Sequence, residues 1–479
     1  MADALETDIC VVGAGAGGLV VAAGASQFGA PTVLIERGPM GGDCLNYGCV
    51  PSKSLIAAAR LARAAADGRR FGLAAMAPEP DLGRVMDHVR GVIAAIAPMD
   101  SVARFEGLGV RVLTGTARFV APDRVALGDG TTVRARRFVI ATGSRPGVPA
   151  IPGLADTPFL TNETIWELDR MPARLLVVGG GPIGVELAQA FRHLGAEVIV
   201  LEMFRLLARS DAELVEILRH RLIADGIDLR EGVGVRRVER TGDGIAVVFG
   251  REGGVEERVE GSHLLIAAGR QPNVEDLDLD RAGVGWSARG IEVDAGLRTA
   301  NRRIYAIGDC AGGPQFTHVA GYHAAQVLRG ALFRLPVRVD HDSVPRVTYS
   351  APEIAEVGLD EAEARRRHGQ IRVLRWSFHE NDRAQTARAT DGLVKAVTTP
   401  RGRILGAGIA GEHAGELIQL WILAIAQKLK VGALAGMIAP YPTLGEVSKR
   451  AAGSYFTPSL FSARTRALVR FLARLPWPR

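Results

Sequence analysis

The sequence predicts an α/β fold in which two Rossmann-like dinucleotide-binding domains precede a C-terminal α+β domain. A glycine-rich turn between an apolar strand and a helix occurs twice, starting at Gly13 and at Gly179. Strand-like runs at residues 371–378, 393–398 and 403–410 then predict an antiparallel sheet near the C-terminus. The duplicated unit indicates that the chain binds two dinucleotides.

Composition and charge narrow the class of protein. The 479-residue chain is 47% apolar and contains 58 glycines, which is typical of a globular protein with several domains. The sequence contains no run of about 20 apolar residues, so we expect no membrane span. The short acidic N-terminus does not resemble a signal peptide. With four cysteines, we expect a cytoplasmic protein in a reducing environment. The net charge of +6 comes from arginines spread along the chain, so we expect no nucleic-acid partner.

The first unit begins with a predicted strand at residues 7–12, and a helix and a second strand follow the turn. In such a turn Gly13 permits the tight bend, Gly15 admits a pyrophosphate, and Gly18 lets the helix pack on the strand. Glu36 ends the second strand, where a carboxylate accepts hydrogen bonds from ribose hydroxyls. The strand, the helix and the acid together make this a specific dinucleotide-binding signal.

The second unit repeats this order, with Gly179, Gly181 and Gly184 in the turn and Glu202 at the end of the second strand. A carboxylate at this place accepts a hydrogen bond from a free 2′-hydroxyl and repels a 2′-phosphate. We therefore expect NAD(H) to be favoured over NADP(H). Two arginines follow closely, and either would weaken this preference.

Cys44 and Cys49 lie five positions apart in a Gly- and Pro-containing run before an Ala-rich helix at 54–66. Within one helix this spacing corresponds to about one and a half turns, which lets the two side chains approach each other. A helix N-terminus also lowers the pKa of a thiol. The residues alone allow a redox-active pair, a structural disulfide or half of a zinc site. Cys10 and Cys310 are too scattered to complete a zinc site, so we expect no metal centre.

The run from Gly41 to Lys53, GGDCLNYGCVPSK, resembles the active-site motif of the FAD-containing pyridine nucleotide-disulfide oxidoreductases. That family includes dihydrolipoamide dehydrogenase, glutathione reductase and mercuric reductase, and other motifs extend the resemblance from residue 7 to about residue 457. The resemblance implies a homodimeric FAD-dependent NAD(P)H:disulfide oxidoreductase, in which hydride passes from nicotinamide to flavin and electrons reach a Cys44–Cys49 disulfide. It also implies that Cys49 lies against the flavin and that Cys44 attacks or binds the substrate.

The same resemblance implies which residues contact each cofactor. Lys53 and Glu186 pair near flavin N5, where a cation favours the reduced flavin. The other implied FAD contacts are Gly13, Gly15, Gly18, Glu36, Gly42, Ala117, Thr142, Gly143, Ser144, Asp309, Gln315 and His318. The implied contacts of the nicotinamide cofactor are Gly179, Gly181, Gly184, Glu186, Glu202 and Gly269.

These motifs predict α/β architecture with a C-terminal α+β dimerisation domain, divided into five segments. In order they are the first part of the FAD-binding domain (1–150), the NAD(P)-binding domain (151–270), the returning segment of the FAD-binding domain (271–340), the interface domain (341–458) and a basic amphipathic tail (459–479). Within the interface domain, residues 414–428 are apolar on most faces, and we expect one buried helix there.

Tyr441 stands where dihydrolipoamide dehydrogenase and glutathione reductase carry a histidine, and mercuric reductase also carries tyrosine there. The resemblance implies that this residue and Glu446 complete the partner subunit's site. The pKa of tyrosine is ordinarily about 10, against about 6.5 for histidine, so Tyr441 donates a hydrogen bond but is a poor base. We therefore expect a small-molecule electron acceptor other than an ordinary disulfide to be turned over best.

Several acceptors stay open. A disulfide compound is one, and a soft metal ion bound by two thiolates is another, although no cysteine follows Cys310 to deliver a metal. A reactive sulfur or oxidant species is equally compatible with the residues. A redox sensor or electron-transfer partner, whose disulfide does not turn over, would carry the same motifs.

The tail carries leucines and a phenylalanine at helical spacing, with four arginines between them. A basic amphipathic helix of this kind can lie on an anionic membrane. It can equally pack on the protein surface or in the dimer. Peripheral membrane contact is therefore one of two expectations for this segment.

Overall fold

The computed structural model describes residues 4–74, 76, 79–242 and 244–476. Its chain divides into two compact units: the first comprises the residues up to Leu206 and Asp225–His341, and the second comprises Leu207–Ala224 and the chain from Asp342 onward. Helix Ala212–Ala224 groups with the C-terminal unit although it lies inside the predicted 151–270 segment. The finer domain boundaries stay predictions.

A seven-stranded sheet lies in the first unit. Its strands follow the order Val110–Thr114, Thr32–Glu36, Leu5–Val12, Thr132–Ile140, Arg124–Ala126 and Arg118–Ala121, with Ile304–Ala306 also paired to Thr132–Ile140. The neighbours of Leu5–Val12 run parallel to it, and Val12 pairs with both Ile35 and Ile140. Apolar clusters cover both faces of the second half of this strand, so residues 9–12 are continuously apolar rather than alternating.

Helices of the first unit pack closely where glycine replaces a side chain. The helices are Ala16–Gln27, Gly42–Asn46, Cys49–Ala66, Leu82–Ile96, Val102–Gly107, Pro182–His193 and Thr317–Leu332, with 3-10 turns at Asp67–Phe71, Ala97–Asp100, Ile165–Glu167, Glu275–Leu277, Leu279–Ala282 and Gly308–Ala311. A Cβ on Gly24 would lie 2.6 Å from Leu328 Cδ1. An alanine at residue 24 would therefore require the Leu328 side chain of helix Thr317–Leu332 to move.

A second parallel sheet carries the second glycine-rich unit. Its strands follow the order Asp228–Glu231, Glu197–Glu202, Arg174–Val178 and His263–Ile266. An antiparallel sheet of Gly234–Arg240, Ile245–Gly250 and Glu257–Gly261 accompanies it. The short strands Ser144–Pro146 and Arg270–Pro272 pair with each other, as do Trp286–Ser287 and Gly290–Ile291.

The second unit contains a five-stranded antiparallel sheet in the order Arg346–Thr348, Glu353–Gly358, Ile404–Gly411, Leu393–Thr398 and Arg372–Ser377. Its helices are Ala212–Ala224, Glu361–His368, Asp382–Ala387, Ala414–Leu417, Gln419–Ala426, Val431–Ala435, Glu446–Ser454, Thr457–Leu460 and Ala463–Leu472, with a 3-10 turn at Phe378–Glu380. The apolar stretch predicted as one buried helix at 414–428 is instead two helices that meet at Ile418. Trp421 is fully buried and donates to Ser448 Oγ, but Leu423 is 57% exposed.

Across the described part of the chain, none of the helices combines the length and the apolar character needed to cross a bilayer.

Candidate active site

The two reactive cysteines lie on consecutive helices. Cys44 lies in Gly42–Asn46, and Cys49 is the first residue of Cys49–Ala66. The chain turns between them at Gly48, where a Cβ would lie 2.8 Å from Asp43 Oδ2. From their spacing we assumed that both cysteines lie in one helix, and the structure shows that they do not. The turn instead places Cys49 at a helix N-terminus, where backbone N–H groups favour a thiolate.

The two cysteines are not bonded to each other in the structure, and the pKa values of their thiols are shifted in opposite directions. The Cys44 thiol donates a hydrogen bond to Cys49, and together with Thr317 and the charge of Lys53 this bond lowers the pKa of Cys49 to about 6 in spite of burial. The same bond, burial and the neighbouring Cys49 charge raise the pKa of Cys44. At neutral pH the reduced pair therefore carries one proton, and Cys44 holds it.

Thr317 is a site residue that the sequence did not reveal. Its Oγ1 lies 3.3 Å from Cys49 Sγ, and it begins the helix Thr317–Leu332. The flanking residues Gln315 and His318 were expected to contact FAD, and the His318 ring stacks on Phe316 with centroids 5.2 Å apart. Only the contact in space, 268 positions along the chain, identifies the hydroxyl as a donor to the thiolate.

Lys53 and Glu186 meet across the first unit, with Lys53 Nζ 2.7 Å from Glu186 Oε2. Lys53 lies one turn after Cys49 on the same helix, and Glu186 lies on Pro182–His193. The Glu186 side chain is 6% exposed, so its charge needs the lysine. The structure thus brings together the two residues that the resemblance to the family pairs with each other.

The first glycine-rich turn has the geometry of a dinucleotide cradle. Gly13 has φ +107°, and a Cβ there would lie 2.4 Å from the Ala141 carbonyl oxygen. A Cβ on Gly18 would lie 1.8 Å from the Gly13 carbonyl oxygen, whereas a Cβ on Gly15 would meet only Gly42 Cα, at 4.0 Å. Glu36 accepts a hydrogen bond from the backbone N–H of residue 14. Gly13 and Gly18 are therefore packed against backbone, whereas Gly15 has free space of the kind that a pyrophosphate needs.

The second turn repeats this geometry position by position. Gly179 has φ +117°, and a Cβ there would lie 2.3 Å from the Ala267 carbonyl oxygen. A Cβ on Gly184 would lie 1.9 Å from the Gly179 carbonyl oxygen, and one on Gly181 would meet no described atom within 4 Å. Glu202 accepts hydrogen bonds from the backbone N–H groups of residues 180 and 204. Both turns therefore fit a dinucleotide.

A polar cluster in the first unit is formed by Ser144, Arg270 and Asp309. Ser144 Oγ donates to Asp309 Oδ2 at 2.6 Å, and Arg270 Nε donates to Ser144 Oγ at 2.7 Å. Arg270 also lies 3.2 Å from Asp43, the neighbour of Cys44. Burial raises the pKa of Asp309, while Ser144 and Arg270 oppose the shift. Arg270, which was not among the predicted site residues, connects this cluster to the cysteine motif.

Four further residues were predicted to contact the two cofactors: Thr142, Gly143, Ala117 and Gly269. Thr142 Oγ1 donates to the Asn273 carbonyl oxygen, and Gly143 has φ +66°. Ala117 is buried in the apolar cluster behind the first sheet. Gly269 has φ +125°, and its carbonyl oxygen accepts from the Gly147 N–H.

Tyr441 and Glu446 lie in the second unit. The Tyr441 hydroxyl donates to Asp382 Oδ2 at 2.9 Å, and the ring is 71% exposed. This bond and the Asp382 charge raise the pKa of Tyr441. Glu446, which was expected to complete the partner subunit's site together with Tyr441, begins the helix Glu446–Ser454. Asp382 was not anticipated as the partner, because nothing in its local sequence marks it.

Two dinucleotide-binding turns and a thiol pair next to a lysine define an oxidoreductase that moves electrons between nucleotide cofactors and sulfur. The model of the pyridine nucleotide-disulphide oxidoreductase family matches residues 7–324, and the model of that family's dimerisation domain matches residues 344–452. The chain belongs to this family. It is an FAD-dependent NAD(P)H disulfide oxidoreductase with a redox-active cysteine pair, and the dimerisation domain supports a homodimer.

Relatives that carry different enzyme names have similar sequence identities to this chain. A mercuric reductase of Streptomyces lividans is 38% identical over 462 residues, which cover 94% of this chain and 96% of that protein. A dihydrolipoyl dehydrogenase of Haloferax volcanii is 36% identical over 465 residues, with 94% and 96% covered. A solved structure of the HOCl-induced flavoprotein disulfide reductase RclA from Escherichia coli, as a Cu(II) complex, has a TM-score of 0.84 and 26% identity and covers 94% of this chain and 99% of its own.

Proposed function

We propose that this enzyme uses NADH to reduce an acceptor that binds directly to its two cysteine thiolates, and that this acceptor is a soft metal ion. The observation that carries the proposal is the hydrogen bond from Tyr441 to Asp382. A tyrosine that already donates to a carboxylate, with its pKa raised, is a poor proton acceptor. The site of the partner subunit then lacks an efficient base at this position.

The proton on Cys44 explains why the acceptor matters. Attack of Cys44 on a disulfide requires its thiolate, so a base must first remove the proton. A metal ion removes this requirement, because its positive charge lowers the pKa of a coordinating thiol and the proton leaves to solvent. Two thiolates are also ligands that soft metals prefer. The protonation state of the pair therefore favours a metal ion over an ordinary disulfide.

Two similar proteins also support a metal ion as the acceptor. One is named mercuric reductase, and the other is the RclA structure described as a Cu(II) complex. The electron balance is simple. One NADH supplies two electrons, which reduce one Hg(II) to Hg(0) or two Cu(II) to Cu(I), with release of NAD⁺ and one proton. When bound, FAD supplies the two-electron carrier between the nicotinamide and the cysteine pair.

Within the proposal, the residues of this chain have separate roles. Cys49 would accept electrons from the bound flavin, and Cys44 would make the first bond to the acceptor. Lys53, held by Glu186, keeps a positive charge beside the thiolate. Tyr441 and Glu446 complete the site of the partner subunit. A cytoplasmic location also remains part of the proposal.

Anaerobic steady-state assays with NADH and Hg(II), Cu(II), lipoamide, glutathione disulfide or hypochlorous acid-derived chloramine test the acceptor. We expect kcat/KM to be highest for a metal ion, and we expect Cys44→Ser to abolish its reduction. Continued turnover past one equivalent of NADH also excludes a sensor. Faster turnover of lipoamide or glutathione disulfide than of both metals would overturn the proposal.

The choice of NADH rests on Glu202, whose two carboxylate oxygens are fixed by backbone N–H groups. A fixed negative charge there repels the 2′-phosphate of NADPH. We expect Glu202→Ala to narrow the ratio of kcat/KM for the two cofactors, while the exposed Glu197→Ala leaves it unchanged. A wild-type preference for NADPH of about tenfold would contradict this assignment.

A further inference from the structure

The C-terminal segment presents an unusual combination of exposed apolar residues and unopposed positive charge. Helix Ala463–Leu472 is capped at its start, where Ser462 accepts from the Thr465 N–H. Within the described residues, this helix has no buried side chain. Seven apolar residues in or beside it are at least 50% exposed: Leu460, Phe461, Leu468, Val469, Phe471, Leu472 and Leu475.

Helical spacing places four of these residues on one face. Leu468, Phe471 and Leu472 follow the i, i+3, i+4 pattern, and the chain keeps winding until Leu475, whose N–H donates to the Leu472 carbonyl oxygen. Arg466 and Arg470 lie four residues apart on the opposite face. A soluble surface rarely exposes such an apolar stripe without a partner.

Charge identifies the partner. Glu446 is the last acidic residue of the chain, and the 33 residues after it contain seven lysines and arginines. An apolar face backed by arginines, without acids, has the properties of a helix that lies in the interface of an anionic bilayer. A nucleic acid would match the charge but would leave the apolar face uncovered. The segment also lies past residue 452, where the match to the dimerisation domain ends.

We propose that the segment from Leu460 to Leu475 docks this dimeric flavoenzyme on the surface of an anionic lipid bilayer. Leu468, Phe471, Leu472 and Leu475 enter the boundary between headgroups and acyl chains. Arg466, Arg470 and Arg474 remain near the anionic headgroups, with which they interact over a Debye length. The enzyme then reduces its acceptor beside the membrane.

Sedimentation of the full-length FAD-loaded protein with vesicles tests this inference. We expect binding to vesicles of phosphatidylcholine with phosphatidylglycerol, weak binding to phosphatidylcholine alone, and release by salt. The triple variant R466Q/R470Q/R474Q should lower the partition coefficient on the order of 100-fold. The control R84Q/R90Q/R136Q removes the same charge from exposed sites elsewhere and should bind as the wild type does.

A second variant separates the membrane from a second copy of the chain. L468S/F471S/L472S should lose vesicle binding while it keeps its flavin absorbance, its NADH oxidation and its dimeric mass in light scattering. Equal binding to both kinds of vesicle, unchanged binding of the arginine variant, or binding to duplex DNA in place of vesicles would overturn the inference. Dissociation of the dimer in L468S/F471S/L472S would also overturn it, because the stripe would then be a subunit contact.

Discussion

Lys53 Nζ lies 2.7 Å from Glu186 Oε2, and this ion pair joins the helix that starts at Cys49 to the helix of the second glycine-rich unit. Glu186 is buried, whereas Lys53 is 36% exposed. A buried carboxylate without its cation is strongly unfavourable. The pair therefore fixes two helices relative to each other and keeps a cation close to the Cys49 thiol.

Lys53→Met leaves the Glu186 carboxylate without this cation. Because Lys53 is partly exposed and water can reach the pair, we expect a loss of about 1–3 kcal/mol in the free energy of unfolding. We also expect the pKa of Cys49 to rise, because the lysine charge lowers it in the wild type. The double variant Lys53→Met/Glu186→Leu should recover part of the stability but not the low pKa. Urea unfolding and ultraviolet thiolate titration measure the two effects, with Lys430→Met as an exposed control. Equal stability of Lys53→Met and the control would contradict the role of the pair.

Thr317→Val removes a hydrogen bond to the Cys49 thiolate. Because the wild-type pKa is lowered to about 6, the thiolate is present above pH 6 and is lost as the pH falls through that value. In the variant the pKa should move up toward the ordinary value by on the order of one unit. The pH dependence of iodoacetamide alkylation of the reduced protein measures this shift.

The conservative variant Thr317→Ser keeps a hydroxyl and is the matched control. It should titrate like the wild type. An unchanged midpoint in Thr317→Val would show that the contact of 3.3 Å does not stabilise the thiolate.

Gly184→Ala and Gly181→Ala separate packing from binding in one turn. A Cβ at Gly184 would overlap the Gly179 carbonyl oxygen, so we expect a loss of more than about 2 kcal/mol in stability. A Cβ at Gly181 would point into open space, which we propose a pyrophosphate fills, so that variant should keep its melting temperature but raise the KM for the nicotinamide cofactor. Thermal unfolding and steady-state kinetics decide; the reverse pattern would refute the geometry of the turn.

Tyr441→His introduces a group that titrates near neutral pH. If the absence of a base limits disulfide turnover, lipoamide reduction should rise by about 10–100-fold, since positioned acid–base catalysis is worth about 10²–10⁴ in rate. Tyr441→Phe should leave lipoamide reduction as low as in the wild type. A wild-type enzyme that is already efficient with lipoamide, and that does not respond to Tyr441→His, would contradict the reasoning.

Local motifs made most of the first unit predictable. Gly18 and Gly184 lie at the same place in their turns, and each excludes a Cβ by contact with a carbonyl oxygen. Steric requirements of this kind act between residues that are close in the sequence, so the sequence alone reveals them. The α/β class followed from these turns, whereas the family and the cysteine pair followed from the motif at residues 41–53.

Contacts between distant residues were not predictable. Thr317 reaches Cys49, and Asp382 reaches Tyr441, through tertiary packing that no local pattern records. The apolar stretch around Ile418 was read as one helix because composition does not show where a helix breaks. The turn at Gly48 was missed for the same reason, although it sets the position of Cys49.

Anaerobic titration of the purified flavoprotein with NADH, followed by counting of reactive thiols, tests the central claim most directly. The claim is that electrons from NADH reach the Cys44–Cys49 disulfide. The account predicts that oxidised enzyme gains two reactive thiols per chain on reduction by NADH, and that Cys44→Ser gains none. If NADH bleaches the flavin and no new thiols appear in the wild type, the cysteine pair is not the electron acceptor within this protein.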